Sequence, residues 1–117
     1  LLIEDEANIA EAIRFVLVRD GWRVTTHRDG HDALERVRQA GPDLVILDVM
    51  LPGQSGFDIL AALRSDPATA ALPVLVLTAK GQARDREAAA RAGASGFMTK
   101  PFSNAEMLAE VRALVGP

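Results

Sequence analysis

Cysteine is missing from the chain, so no disulfide can brace it, and a cysteine-ligated zinc or iron–sulfur site is excluded. Basic charge is scarce too: 13 lysines and arginines against 16 acidic residues leave a net charge of −3, which offers no footprint for nucleic acid or anionic lipid. No apolar run approaches the roughly 20 residues of a membrane span, and no charged-then-apolar signal segment opens the chain. Direct DNA binding by this segment and membrane association are therefore not expected, and a cytoplasmic location is the default. Repeats, low-complexity tracts and internal linkers are lacking as well. What remains is ordinary globular composition, 49% hydrophobic and 25% charged over 117 residues, which suits one self-folding domain.

Apolar runs rich in branched residues alternate with segments of helical period, the signature of a parallel sheet covered by helices. Leu1-Leu2-Ile3 reads as the end of a first strand. A helix follows from about Ala7 to Asp20, with Ile9, Ile13, Val16 and Leu17 as its apolar stripe. Trp22 to Thr26 is expected as the second strand. Asp29-Gly30 turns the chain into a helix with Ala33, Leu34 and Val37 inward, which Gly41-Pro42 ends. The third strand, Leu44 to Leu47, is apolar on both faces, as a buried central strand should be. Phe57, Leu60 and Leu63 mark a short helix, broken at Asp66-Pro67, and Pro73 introduces a fourth strand, Val74 to Leu77. The next helix spans about Ala83 to Ala92 and stops at Gly93. Gly96 to Thr99 forms a short fifth strand, and Ser103 with Glu106 makes a capping box for a last helix ending near Leu114. Three residues are short for a strand, and there is no initiator Met, so residues upstream of Leu1 are expected; Gly116-Pro117 suits a natural end or the stub of a linker.

In a doubly wound α/β sheet the ligand crevice lies outside the carboxyl ends of the strands, where strand order reverses. Glu4 and Asp5 follow the first strand, Asp48 ends the third, Thr78 ends the fourth, and Lys100 follows the fifth. The second strand ends in Thr25-Thr26-His27 and contributes nothing comparable, which fits an edge position. Three carboxylates gathered on one rim either take up protons or bind a cation. Hard oxygen donors with no nearby sulfur or imidazole suit Mg²⁺ or Mn²⁺. Asp48 could then act as an acyl nucleophile toward phosphorus, with Lys100 balancing charge and the Thr78 hydroxyl donating a hydrogen bond. Taken singly, each residue has a plainer reading: Glu4-Asp5 as helix-capping charge, Asp48 as a turn residue, Thr78 as a strand end and Lys100 as a surface lysine. Their convergence on one rim favours the chemical reading. His27 and His31 read as solvated surface residues. The charged runs Arg84 to Glu87 and Glu110 with Arg112 read as solvated helix faces.

With Ile3-Glu4-Asp5-Glu6, Val45 to Gly53, Val76-Leu77-Thr78-Ala79 and Lys100-Pro101-Phe102 in this order, the chain resembles the receiver domain of bacterial two-component response regulators over essentially residues 1–117. The resemblance implies a flavodoxin-like, doubly wound five-stranded parallel sheet of order 2-1-3-4-5 with five helices. It implies Asp48 as phosphoacceptor, and Glu4, Asp5, Asp48 and the Met50 backbone carbonyl as ligands of Mg²⁺ or Mn²⁺. Thr78 and Lys100 become the phosphate-contacting switch pair, and Phe97 the aromatic switch. Met50 and Lys80, flanking the crevice, are expected to set the lifetime of the acyl phosphate. The Lys100–Pro101 peptide is expected to be cis. The implied partners are a histidine kinase or histidine phosphotransfer protein and an output partner or effector domain, with a homodimer also open. The implied function is a phosphorylation-dependent signalling switch rather than a turnover enzyme.

Two departures qualify the resemblance. Phe97 stands where a tyrosine is often found, so a phenolic hydrogen bond is not available. Ala94-Ser95-Gly96 lacks the paired acids of the subgroup fused to winged-helix domains, so that subgroup's symmetric dimer does not carry over. A nucleotide-binding flavodoxin-like protein is disfavoured because Glu4-Asp5-Glu6 would repel phosphate where such a loop needs glycines and free N–H groups. A dedicated aspartyl phosphatase is disfavoured by Met50, two residues after Asp48, where a second acid is common. A receiver-like interaction module acting without phosphorylation is the remaining alternative.

Overall fold

The computed structural model describes residues 1–28, 32–49, 55–78 and 83–115. Strands and helices alternate throughout: β1 (Leu2–Ile3), α1 (Ala7–Arg19), β2 (Thr26–His27), α2 (Ala33–Ala40), β3 (Val45–Asp48), α3 (Gly56–Ser65), β4 (Val74–Thr78), α4 (Ala83–Ala92), β5 (Gly96–Thr99) and α5 (Asn104–Val115). The five strands form one parallel sheet in the order β2-β1-β3-β4-β5, so the expected doubly wound architecture is the observed one.

Alternation along the strands builds two cores. Ile3, Val45, Leu47, Val74 and Val76 face α2 and α3, meeting Val37, Ile59, Leu60 and Leu63. The intervening Leu2, Ile46, Leu75 and Leu77 face α1 and α5, meeting Ile13, Leu17, Met107 and Val111. A strand buried on both sides must be apolar at every position, which is why β3 and β4 carry no polar residue before Asp48 and Thr78. The helix ends follow their local chemistry. Gly41 closes α2 in the left-handed conformation at φ 55°. In the capping box of α5, the Ser103 N–H donates to Glu106 Oε1 at 3.1 Å and the Glu106 N–H donates to Ser103 Oγ at 3.1 Å. The Asp29-Gly30 turn lies outside the described residues.

The second strand departs from expectation. Trp22 to Thr26 reads as a strand by composition, but pairing is confined to Thr26–His27, opposite Leu2 and Ile3. An edge strand forms a ladder only where its single neighbour runs beside it, and β1 offers just two residues. Trp22 and Val24 instead pack half-buried against the core shared with α1 and α5.

Arg64, near the end of α3, ties three segments together. Its Nε donates to the Gly93 carbonyl at 2.8 Å, Nη1 to the Leu72 and Thr69 carbonyls at 2.7 and 3.3 Å, and Nη2 to Ser95 Oγ at 3.3 Å. The same Ser95 hydroxyl accepts from the Val74 N–H at 3.0 Å. Gly93, at φ 97°, leaves room for the Arg64 side chain, whose Cγ a β-carbon there would meet at 2.9 Å and whose Nε at 3.1 Å. Arg64→Ala is expected to destabilise the fold by about 2 kcal/mol, since charge-assisted bonds to half-buried carbonyls are lost and those carbonyls are left without their donor. Urea unfolding should show the midpoint falling with an unchanged slope.

Candidate functional site

The crevice forms where the order of strands reverses, between β1 and β3. Glu4 follows directly on β1 and is 1% exposed; Asp48 is the last residue of β3 and is 2% exposed. Asp5 is half-buried beside them. One carboxylate oxygen from each of Glu4, Asp5 and Asp48 lies within 4.8 Å of the other two. Lys100 enters from the end of β5. Its ammonium donates to Glu4 Oε1 at 3.2 Å and to Asp48 Oδ2 at 3.1 Å. Its backbone N–H donates to the Thr78 carbonyl at 2.8 Å, which fixes where the side chain starts. The Lys100–Pro101 peptide is cis, as expected.

Three acids and one base share this space, and their ionisation reflects it. Burial raises the Glu4 carboxyl to about 7; the hydrogen bond from Lys100 pulls it down, and the proximity of Asp48 pushes it up again. Lys100 is lowered by burial, but its bonds to Glu4 and Asp48 outweigh this and leave it above the usual lysine value. One ammonium therefore compensates the cluster incompletely. Glu4 Oε2 shows the shortfall: it is buried, and the ammonium, 3.0 Å away, pairs with it without hydrogen-bond geometry, so that among the described residues it accepts no hydrogen bond. An under-coordinated carboxylate oxygen among three converging acids fits a small, hard divalent cation, and the donor set is all oxygen.

Thr78 closes β4 and is buried. Thr78 lies opposite Thr99, and Phe97 opposite Val76, so Thr78 and Phe97 sit two pairs apart and therefore on the same face of the sheet. Phe97 is half-buried against the α3 side of the core. Sequence reasoning treated Arg86 as part of a solvated face, but its guanidinium stacks over the Phe97 ring at 4.8 Å from the centroid. Arg112, read in the same way, pairs across the α1–α5 boundary with Asp20. Met50 and Lys80 lie outside the described residues, as does His31.

Gly56 supports the site from behind and went unnoticed in the sequence. As the first residue of α3 it packs so close to β3 that a β-carbon would stand 2.5 Å from the Asp48 carbonyl oxygen and 2.5 Å from Val49 Cα. Its N–H donates to the Val49 carbonyl at 3.1 Å, while Ser55 Oγ caps the helix by accepting from the Phe57 N–H.

Comparison with known proteins agrees with this geometry. The family model for the response regulator receiver domain matches residues 1–112. The "Probable transcriptional regulatory protein TcrX" of Mycobacterium tuberculosis is 45% identical over 98% of the chain and 48% of its own length. The phosphate regulon transcriptional regulatory protein PhoB of Escherichia coli is 38% identical over 98% of the chain and 50% of its own length. The chain thus spans about half the length of these curated relatives. Among solved structures, the chemotaxis response regulator CheY4 of Vibrio cholerae superposes with a TM-score of 0.91 at 27% identity, covering 97% of this chain and 94% of its own. Among the described residues, no helix is long and apolar enough to cross a membrane.

Proposed function

Because the chain belongs to the family of response regulator receiver domains, we propose that it is a phosphorylation-dependent switch in which Asp48 accepts a phosphoryl group from a phosphohistidine on a sensor kinase or phosphotransfer protein. Residues 1–117 are read as one receiver domain, working in the cytoplasm. The observation that carries the proposal is the convergence of buried Glu4 and Asp48 with half-buried Asp5, where the Lys100 ammonium pairs with both Glu4 and Asp48.

In the transfer, an Asp48 carboxylate oxygen forms a bond to phosphorus as the phosphorus–nitrogen bond of the donor imidazole breaks. The imidazole leaves with the electron pair and takes up a proton. Lys100, already 3.1 Å from Asp48, is placed to balance charge on the incoming oxygens, and the Thr78 hydroxyl to donate to one of them. Glu4, Asp5, Asp48 and the Met50 carbonyl would hold Mg²⁺ or Mn²⁺, which supplies charge neutralisation on the transferred group when bound. The domain is a substrate with self-catalysis and slow self-dephosphorylation, not a turnover enzyme. Met50 and Lys80, two residues beyond Asp48 and Thr78 in the sequence, are assigned to the phosphoryl lifetime through access of the hydrolytic water, which an apolar Met50 cannot orient by hydrogen bonding. The relatives are named as transcriptional regulators, so control of transcription is the proposed output, through a part of the protein other than this segment.

Intact-mass analysis after incubation with a small-molecule phosphodonor and Mg²⁺ tests the proposal. One added phosphoryl group in the wild type, absent from Asp48→Asn and from samples in EDTA, is the expected result. No added mass in the wild type overturns it in favour of a module that binds its partner unphosphorylated.

Phe97 is proposed as the relay from the site to the output surface. Drawing the Thr78 hydroxyl toward the phosphoryl group vacates space on the face that Phe97 shares, and the ring can turn into it. Phe97→Ala should gain the phosphoryl mass as the wild type does, yet lose the phosphorylation-dependent change in partner binding or self-association. A full change retained in that variant would remove Phe97 from the relay.

A further inference from the structure

Little apolar surface attaches α4 to the rest of the domain, because the helix contains no apolar residue larger than alanine. Arg86, Ala89 and Ala92 recur every three residues and so share one side of it. Ala89 is buried, Ala92 is half-buried against the core that α3 covers, and Arg86 is exposed. Beyond its C-terminal end the chain is pinned, by Arg64 at the Gly93 carbonyl and by the Ser95 N–H, which donates to the Val74 carbonyl at 2.9 Å. Toward its beginning α4 reaches β5 through Arg86, whose guanidinium lies over the Phe97 ring. An element that buries so few apolar groups belongs to the low-stability end of a fold, where one contact weighs heavily.

The charge of Arg86 is directed at the ring rather than at an acid. Arg91 on the same helix pairs with Glu87 at 3.4 Å, whereas Arg86 makes no ion pair among the described residues. Phe97 lies on the sheet face that carries Thr78, so the inward turn proposed above would take the ring away from α4 and toward Thr78. One ring cannot lie under the guanidinium and fill the space behind Thr78 at the same time. The stack therefore opposes the turn. A tyrosine here could be held in place through its hydroxyl; a phenylalanine offers only its ring face, and a cation is what binds that face.

We propose that Arg86 is a positioning residue that clasps Phe97 in the unphosphorylated domain, biasing the switch toward its resting arrangement and holding the first half of α4 on β5. The proposal rests on the reading of Phe97 as the relay from Asp48. Turning the ring inward removes it from beneath the guanidinium, so phosphorylation and release of α4 become one event. The strength of the clasp suits that task. A cation–π contact at an exposed site shifts an equilibrium by about two- to fivefold, enough to set a resting bias and small beside the charge-assisted bonds that a phosphoryl group on Asp48 would gain from Lys100 and Thr78.

Amide hydrogen–deuterium exchange across α4, read by mass spectrometry, tests the clasp. Without phosphodonor, Arg86→Gln should speed exchange in α4 by about two- to fivefold. Arg86→Lys, which keeps a cation over the ring, should stay nearer to wild type. In a Phe97→Leu background, Arg86→Gln should change nothing further, because the partner is already gone. Adding a small-molecule phosphodonor and Mg²⁺ should bring the wild type toward the Arg86→Gln rate. Arg86 is exposed, so its variants should melt as wild type does. The proposal is overturned if Arg86→Gln exchanges as slowly as wild type, if Arg86→Lys is as loose as Arg86→Gln, or if the Arg86→Gln effect persists without the Phe97 ring. A wild type that gains the phosphoryl mass with α4 exchange unchanged overturns it as well. A wild type that gains no phosphoryl mass overturns the reading of Asp48 instead, and the donor-free comparison still decides whether Arg86 holds Phe97.

Discussion

Lys100→Ala is expected to lower the stability of the metal-free protein by about 3–5 kcal/mol at pH 8, the usual cost of removing one partner from a buried ion pair. The ammonium donates to both Glu4 Oε1, which also accepts from the Glu6 N–H at 3.2 Å, and Asp48 Oδ2, and neither carboxylate can turn to solvent, with Glu4 1% and Asp48 2% exposed. The loss should depend on pH in a definite direction. The Glu4 carboxyl is raised from its unfolded value of 4.5 to about 7 in the fold. A group raised in this way stabilises the fold fully below its unfolded pKa, and that contribution is lost as pH climbs through the folded one. Metal-free wild type should therefore lose this contribution between pH 4.5 and 7. Without Lys100 the downward pull on Glu4 disappears, so protonation persists to higher pH. At pH 5 the variant carries a neutral Glu4 and should sit closer to wild type than at pH 8. Urea unfolding in EDTA at the two pH values measures this, and an equal deficit at both would contradict charge compensation as the role of Lys100. Saturating Mg²⁺ at pH 8 should return part of the loss.

Gly56→Ala is expected to cost about 3 kcal/mol, the upper end of the usual range for overpacking. Alanine is ordinarily the better helix former, so local propensity alone points the other way. The decisive fact is that the added methyl would meet backbone at 2.5 Å, at the Asp48 carbonyl and at Val49 Cα, with no flexible side chain to give way. Either α3 retreats from β3, opening the packing of Ile59 and Leu60, or the end of β3 moves and carries Asp48 with it. The second response would separate Asp48 from Lys100, so the phosphorylation rate with a small donor should fall even where the variant remains folded. Unfolding midpoints and phosphorylation rates should therefore both fall. A variant as stable and as reactive as wild type would mean that the approach of α3 to β3 is looser than the structure describes.

These two residues mark where sequence reading works and where it stops. Lys100 was legible because a parallel α/β sheet places polar strand-end residues on one rim; β1, β3 and β4 announce themselves by branched apolar runs, and β5 follows as the short Gly96–Thr99 segment after the helix stop at Gly93. The reciprocal capping of Ser103 and Glu106 was legible for a similar reason, since both partners lie three residues apart. Gly56 was not, because a glycine at a helix start has many ordinary uses, and only the distance to another segment singles it out. Arg86 stacking on Phe97 and Arg64 bridging to Gly93 and Leu72 are likewise contacts between segments, and a charged residue on a helix looks the same in sequence whether it meets water or a ring. The misplacement of β2 has a different origin. Trp22 to Thr26 has strand composition, but strand formation needs a neighbour, and β1 provides one only beside Thr26 and His27.

The ammonium of Lys100 and the carboxylate of Glu4 meet across a sequence separation of 96 residues, and Asp48 lies 52 residues from the same lysine. During synthesis the acids emerge first and their compensating cation last. A nascent chain that has produced β1 and β3 holds the acidic residues without the cation that steadies them, so burying them at that stage is electrostatically opposed. Contacts of such long range are also the slow ones to form. The crevice is thus assembled only when β5 docks beside β4, one of the last strand pairings the chain can make, and a truncated or half-made product cannot complete the constellation of charges that the finished fold displays.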